Sequence, residues 1–509
     1  MNSLPINNTT ILLAVGLVGL TVWFYSILVK KPNPAPFPPG PKGLPLIGNI
    51  ADLPTSQPWD TFAKWGEIYG GIVHVRALGQ SIIVLNDVQH AVNMLDKKSS
   101  LYSDRPTLMM AGTLVGWDNI NVLLPFGDTW KEHRRLFAQF LGTRSKIDAF
   151  ADVVQGEVNS FLHRILVDPA EWSQHTRKFA GNTVLKLVYG YTTTDKEDHM
   201  VKLVDESMRQ FCEMVVTNAF LVDVFPILRH VPEWLPGAAW KKKVPKYRKT
   251  VHDMVNSTYD WVKQQIVAGT AQQSFTSDML NNQPVTVEED RLIKWAAASL
   301  YTGGVDTIPS MLQSFFLAMT LHTSIQQKAQ AELDAVVGTD RLPTPADRAR
   351  LPYFEALLCE VIRTYIYGIG VPHMVREDDV YNGYFIPKGA IVLVNVTQCS
   401  RDPRVYANPE VFFPERFMAS EGGVKEADPR DHVFGFGRRI CPAKLFADAS
   451  VWLACASVIA TFDIRPPVKN GVPMLPLVKH TDGAIPHPEP FECVIKARSK
   501  AAEAIIGAF

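Results

Sequence analysis

The sequence predicts a mainly α fold with small β-sheets, preceded by one N-terminal transmembrane helix. Three observations carry this reading. Long amphipathic patterns dominate from about residue 130 to 365, with apolar positions recurring at helical spacing. Strand-like runs are short: two within Ile72–Leu85 around Gly79-Gln80, one near Ala390–Val394, and more towards the C-terminus. An uncharged apolar stretch, Ile11 to Val29, stands ahead of them all. The 509 residues are 47% hydrophobic and 20% charged, enough for a sizeable core and against general disorder. Lys+Arg and Asp+Glu both number 51, and this zero net charge gives no support for a nucleic-acid partner.

The apolar stretch comes first in the chain. At ~1.5 Å per residue it spans roughly 28 Å, about one bilayer core. Trp23 and Tyr25 lie near one end, where amphipathic rings favour the interface. Lys30 and Lys31 follow, and no Lys or Arg precedes the span, so the positive-inside rule places the body in the cytosol. A cleaved signal peptide is the weaker alternative, because the run is long, its n-region lacks charge and no small-x-small site precedes the lysines. Asn7 and Asn8 each open a glycosylation sequon on the lumenal side. The expected organisation is residues 1–29 as lumenal tail and anchor, 30–45 as a stiff proline-rich hinge (KPNPAPFPPGPKGLP within it), and 46–509 as the catalytic domain.

The most informative helix begins at Thr286, where Thr286 and Glu289 form a capping box, and runs to about Met319, roughly 50 Å. In its middle lies Gly303-Gly304-Val305-Asp306-Thr307, then Pro309. Two glycines weaken a helix, and Pro309 cannot donate to the carbonyl of Val305. Local opening there would make room beside a bound group.

The six cysteines are Cys212, Cys359, Cys399, Cys441, Cys455 and Cys493, with no CxxC pair; a disulfide framework or zinc site is not expected. Cys441 has a distinctive setting, Phe434-Gly-Phe-Gly-Arg-Arg-Ile-Cys441-Pro-Ala443. Glycines let a loop approach a flat ligand closely. Arg439, two residues before the cysteine, can pair with a carboxylate and help keep the sulfur as thiolate. A helical pattern from Leu445 to Ile459 follows, so the sulfur sits near a helix N-terminus, which favours an anion.

This segment resembles the haem-binding signature of the cytochrome P450 family, Phe-x-x-Gly-x-Arg-x-Cys. Three further matches stand in the family's order: Gly303 to Thr307 is similar to its oxygen-binding groove, Glu360-Val-Ile-Arg363 to its ExxR pair, and Pro414-Glu-Arg416-Phe to its PERF segment. The likeness covers the whole chain and is strongest to fungal microsomal members, partly through the tail Asp482-Gly-Ala-Ile-Pro-His-Pro-Glu-Pro-Phe491. The resemblance implies a P450 fold holding haem b, with Cys441 as axial ligand to the iron. It implies that Trp130, Arg134, His373 and Arg439 contact the propionates, that Phe434 belongs to the haem loop, and that Glu360, Arg363 and Arg416 form a buried charge network behind the haem. Asp306 and Thr307 would steer protons to bound dioxygen.

The chain departs from the family pattern at three places. Ile366 stands where Pro is common, in a stretch (Ile366–Val371) about one residue shorter than usual. Thr397 replaces a frequent Trp, and Ala443 a frequent Gly. Candidate pocket walls are the loop Arg105 to Val122, Phe211 to Val224, and Ala484-Ile485, rich in apolar residues. The basic run Lys241-Lys-Lys243, with Lys246, Arg248 and Lys249, reads as a solvated face or a contact with membrane lipid.

The expected function is therefore a monooxygenase in the endoplasmic reticulum membrane, inserting one oxygen atom of O₂ into a hydrophobic terpenoid, polyketide or polycyclic xenobiotic in secondary metabolism or detoxification. NADPH electrons would arrive through NADPH-cytochrome P450 reductase, with cytochrome b5 as a further partner. Two other classes compete: a haem-thiolate isomerase or dehydratase, which needs no proton relay, and a non-catalytic haem-binding membrane module.

Overall fold

A computed structural model describes residues 33–193, 198–215, 220–281, 285–419 and 424–508. The elements that frame the site are α1 (Pro58–Tyr69), β1 (Ile72–Ala77), β2 (Gln80–Leu85), α2 (Asp128–Leu141), α3 (Ala151–Val167), α4 (Trp172–Tyr189), α5 (His199–Val215), α6 (Lys243–Val267), α7 (Val287–Leu321), α8 (Pro352–Tyr365), β3 (His373–Met374), β4 (Ile391–Val394) and α9 (Lys444–Thr461). Helices dominate, as the periodicity predicts. The expected membrane span Ile11–Val29 and the sequons at Asn7 and Asn8 lie outside the described residues. The apolar helix α9 is long enough to cross a membrane, but two thirds of it is buried inside the protein, as in a core helix.

The largest sheet has the order β1-β2-β4-β3. β1 and β2 form the expected hairpin, with Ala77 opposite Gln80 and Gly79 at φ 90° in the turn. β2 then pairs in parallel with β4, Ile82 opposite Ile391, across some three hundred residues of chain. Asn395 fixes this junction: its side-chain amide donates to the Trp59 carbonyl and to Asn86 Oδ1, both at 2.9 Å. The proline-rich segment is part of the body from Pro36 onwards. Pro36 and Pro39 carbonyls accept from Phe385 N and His74 N, at 2.7 and 2.9 Å. Phe37 stacks on His74 with centroids 4.6 Å apart.

α7 crosses the helical core. Its capping box forms as expected, with Glu289 N donating to Thr286 Oγ1 and Thr286 N to Glu289 Oε2. Phe315 and Phe316 are fully buried, and Phe316 stacks on Trp172 of α4 at 4.8 Å. Truncating such a ring typically costs 3–5 kcal/mol. Gly304 lets α7 and α4 touch, since a Cβ there would lie 2.7 Å from Val184 Cγ2. Pro309 does not break the helix, which runs unbroken to Leu321.

Candidate active site

The Cys441 loop is held by its own backbone. Cys441 N donates to the Phe434 carbonyl at 2.8 Å. Gly435 and Gly437 adopt φ of 83° and 50°, and a Cβ on Gly437 would strike the backbone of Leu95 and Asp96. The Lys444 ammonium lies 5.7 Å from the centre of the half-buried Phe434 ring. Burial pushes the Cys441 thiol up, opposed by a hydrogen bond from the Ala443 backbone and the charges of Arg134 and Lys444. Arg439 is not among those charges. Its guanidinium turns away and donates to the carbonyls of Ser103 (2.8 Å), Asn121 (3.3 Å) and Leu124 (2.8 Å). The expected electrostatic help for a thiolate thus comes from Arg134, one of whose N–H groups donates to the Ile440 carbonyl at 2.7 Å.

Around the loop, positive charge accumulates. Trp130 and Arg134 share one face of α2, as their four-residue spacing requires. The Trp130 ring has the Arg439 guanidinium 4.6 Å from its centre and that of Arg134 at 6.0 Å. Trp130 Nε1 is buried without a hydrogen-bond partner. His373 Nδ1 donates to the Tyr102 carbonyl at 2.7 Å, and burial holds the ring far below its ordinary range. Arg105 joins this group, which sequence reasoning missed by placing it in an apolar roof. It is buried, donates to the carbonyls of Val122, Val371 and Pro372, and is pulled down to about 9 by burial and by Arg439. Arg439 falls to about 10, again mainly through burial. The only sequence signal for Arg105 is a lone cation opening an otherwise apolar loop. Among the described residues, no carboxylate forms an ion pair with Arg105, Arg134 or Arg439, though the Asp104 charge acts on Arg105 and Arg439 against the effect of burial.

On α7, Gly303 and Thr307 are exposed, with nothing within 4 Å of where a Gly303 Cβ would be. Thr307 Oγ1 donates to the Gly303 carbonyl at 2.8 Å. Asp306 points elsewhere. Its Oδ1 is 3.1 Å from Arg177 Nη1 and 3.0 Å from His487 Nε2. Burial would raise its pKa, but these two partners outweigh burial and hold it below the usual value. Asp306 and Thr307 are therefore neighbours in sequence on different sides of one helix.

Glu360, Arg363 and Arg416 do assemble. Arg363 clasps Glu360 through two bonds of 2.8 Å, and Arg416 Nε adds one of 3.2 Å. Thr397, the departure from Trp, has a structural use: its hydroxyl accepts from Gly368 N at 2.8 Å and so ties down the shortened Ile366–Val371 stretch. Of the candidate pocket walls, Trp117 is fully buried against Phe211, ring centres 4.9 Å apart, while residues 216–219 lie outside the described set. The basic run is largely engaged within the fold: Lys241 donates to the Arg229 and Val231 carbonyls, Arg248 to that of Leu114, Lys243 pairs with Glu213 and Lys249 with Asp253.

A half-buried cysteine in a glycine loop, beside a group of buried cations in excess of the one carboxylate near them, suits a haem-thiolate protein. The comparisons name the family. The cytochrome P450 family model matches residues 38–492. The chain is 48% identical to cytochrome P450 monooxygenase 208 of Postia placenta, over 93% of this chain and 92% of that protein. It is 41% identical to cytochrome P450 monooxygenase claR of Ampulloclitocybe clavipes, over 98% and 93%. It is 36% identical to cytochrome P450 monooxygenase COX2 of Coprinopsis cinerea, over 99% and 98%. The protein belongs to the cytochrome P450 family and is a monooxygenase whose prosthetic group is haem. The residues present fit that group: its two propionates match the excess of buried cations over the single carboxylate Asp104 and the orphaned Trp130 N–H.

Proposed function

We propose that this protein is a microsomal monooxygenase that inserts one oxygen atom of O₂ into a C–H or C=C bond of a terpenoid, polyketide or polycyclic substrate. The observation that carries the reading is Cys441 in its glycine loop beside the buried cations Arg105, Arg134 and Arg439. Cys441 would ligate the iron, Trp130, Arg105, Arg134, His373 and Arg439 would hold the propionates, and Phe434 would flank the ring. Haem b with a thiolate ligand supplies the electron donation that favours O–O cleavage. The chain's own residues do the rest. Gly303 would leave space beside the bound group, the Thr307 hydroxyl would hold a proton there, and Asp306 would pass protons in from the Arg177 side, where the surface is half exposed. Trp117 and Phe211 help exclude water and favour an apolar substrate.

Electrons come from NADPH through a membrane-bound reductase, with cytochrome b5 as a second donor, at the cytosolic face of the endoplasmic reticulum. Trp234 (79% exposed) and Ile227 (72% exposed) support a second membrane contact beyond the N-terminal span. The Asp306–Thr307 arrangement favours oxygenation over isomerisation or dehydration. Expression in microsomes with a reductase, followed by mass-spectrometric screening of hydrophobic compounds, tests the reading; the expected product is NADPH-dependent and heavier by one oxygen atom. Cys441→Ala should lose both that product and the thiolate spectrum of the reduced carbon-monoxide complex. A normal spectrum in that variant would overturn the assignment.

A further inference from the structure

The C-terminal tail carries a residue whose role the general reaction leaves unexplained. His487 is buried, and both ring nitrogens face oxygen: Nε2 lies 3.0 Å from Asp306 Oδ1 and Nδ1 lies 3.0 Å from Gln313 Oε1. The neighbours settle who donates. Thr176 gives its hydroxyl hydrogen to the Ser173 carbonyl at 2.7 Å, so its oxygen accepts from Gln313 Nε2 at 3.3 Å. Gln313 Nε2 also reaches Ser173 Oγ at 3.1 Å. That fixes the amide with its oxygen towards His487, and Nδ1 must donate to it. Asp306 is held ionised, so Nε2 must donate as well. A histidine that donates from both nitrogens is an imidazolium.

The tail is anchored for this purpose. His487 N donates to Thr481 Oγ1 at 3.0 Å, and Ser310 of α7 donates to the Pro486 carbonyl at 2.7 Å. Other charged and titratable groups around the pair are Arg177 on α4, Asp205 and Cys212 on α5, and His480 in the tail. Arg177 is half exposed and screened by solvent, whereas His487 is enclosed.

We propose that His487 is a positioning residue for proton delivery, an imidazolium that fixes the Asp306 carboxylate and so sets how the reducing equivalents divide between peroxide and water. This rests on the reading of Asp306 and Thr307 as the proton path. With His487 charged, the carboxylate is fixed at the base of the path. Without that donor, the Asp306 geometry is released.

The test needs no identified substrate. In haem-loaded, full-length protein with its reductase and NADPH alone, electrons leave by two balanced routes. NADPH, H⁺ and O₂ give NADP⁺ and H₂O₂; two NADPH, two H⁺ and O₂ give two NADP⁺ and two H₂O. The second route demands more protons at the oxygen and consumes about half as much O₂ per NADPH. At a fixed pH, His487→Gln should raise O₂ consumed per NADPH above the parent, by at most about two-fold, and His487→Arg, which keeps the charge, should stay near the parent value. A parent-like ratio in His487→Gln, with Asp306→Asn altered, overturns the inference and leaves the proton path intact. Unchanged ratios in both Asp306→Asn and Thr307→Ala overturn the path itself. A second readout is independent of turnover. With isotope-labelled histidine rings, the signal missing from His487→Gln should report both ring nitrogens protonated; a ring with one bare nitrogen overturns the inference.

Discussion

Two buried arginine clusters lie close to the Cys441 loop and differ in what balances them. In one, Glu360 accepts from Arg363 and Arg416, all three being essentially buried, and Glu426 takes a further bond from Arg416 at 2.9 Å. Remaining N–H groups go to carbonyls such as Ser400, 3.0 Å from Arg363 Nη1. In the other, the side chains of Arg105, Arg134 and Arg439 hydrogen-bond only to carbonyls, one carboxylate, Asp104, acts on two of the three, and each guanidinium is still lowered by burial. A balanced cluster holds the fold together. An unbalanced one stores positive charge that an anionic group relieves, and is therefore a place to bind something.

The largest effect that separates them should come from the balanced side. Glu360→Gln strands the buried Arg363 guanidinium and leaves Arg416 with Glu426 alone, and breaking such a buried pair typically costs about 3–5 kcal/mol. Thermal unfolding of the full-length protein should show a marked fall in the midpoint, with little soluble haem protein recovered. A parent-like midpoint would erase the distinction. On the unbalanced side, Arg105→Met should act on the cofactor and spare the chain. Stability without haem should hold or rise, while the loss of a charged hydrogen-bond donor weakens haem retention by about 1.5–3 kcal/mol. The rate of haem transfer to apomyoglobin, beside the unfolding midpoint of the apoprotein, reads the two quantities separately.

The smallest effect is in pH. His432 sits behind the balanced cluster, 2.8 Å from Ser400 Oγ, and burial lowers it to about 4. Its folded pKa lies below the unfolded value, so the unfolded chain binds the proton more readily. The stability it contributes is complete above about pH 6.5 and declines towards pH 4. One such group gives a slope no steeper than about 1.4 kcal/mol per pH unit. Denaturant midpoints should decline more gently over that interval in His432→Gln than in the parent.

Local signals served well wherever a function depends on neighbours in the chain. The glycines before Cys441, the capping box at Thr286 and the four-residue spacing of Trp130 and Arg134 each carry their geometry within a turn or two. Helix content and the β1–β2 hairpin were legible for the same reason. Signals failed where the partner is distant. Arg105 reads as part of an apolar loop until the Val371 and Pro372 carbonyls, far along the chain, are brought to it. Thr397 reads as a loss of Trp until its hydroxyl is seen holding Gly368.

The sequence by itself determined the α-rich architecture, the cysteine loop and the family, because periodicity, turn chemistry and short motifs are properties of adjacent residues. Tertiary structure alone decided that Arg439 faces carbonyls and Arg134 faces the sulfur, that Asp306 turns from Thr307 towards Arg177, and that His487 closes behind it. Charge balance and proton position are sums over groups that only folding brings within hydrogen-bonding range, and no spacing along the chain encodes them.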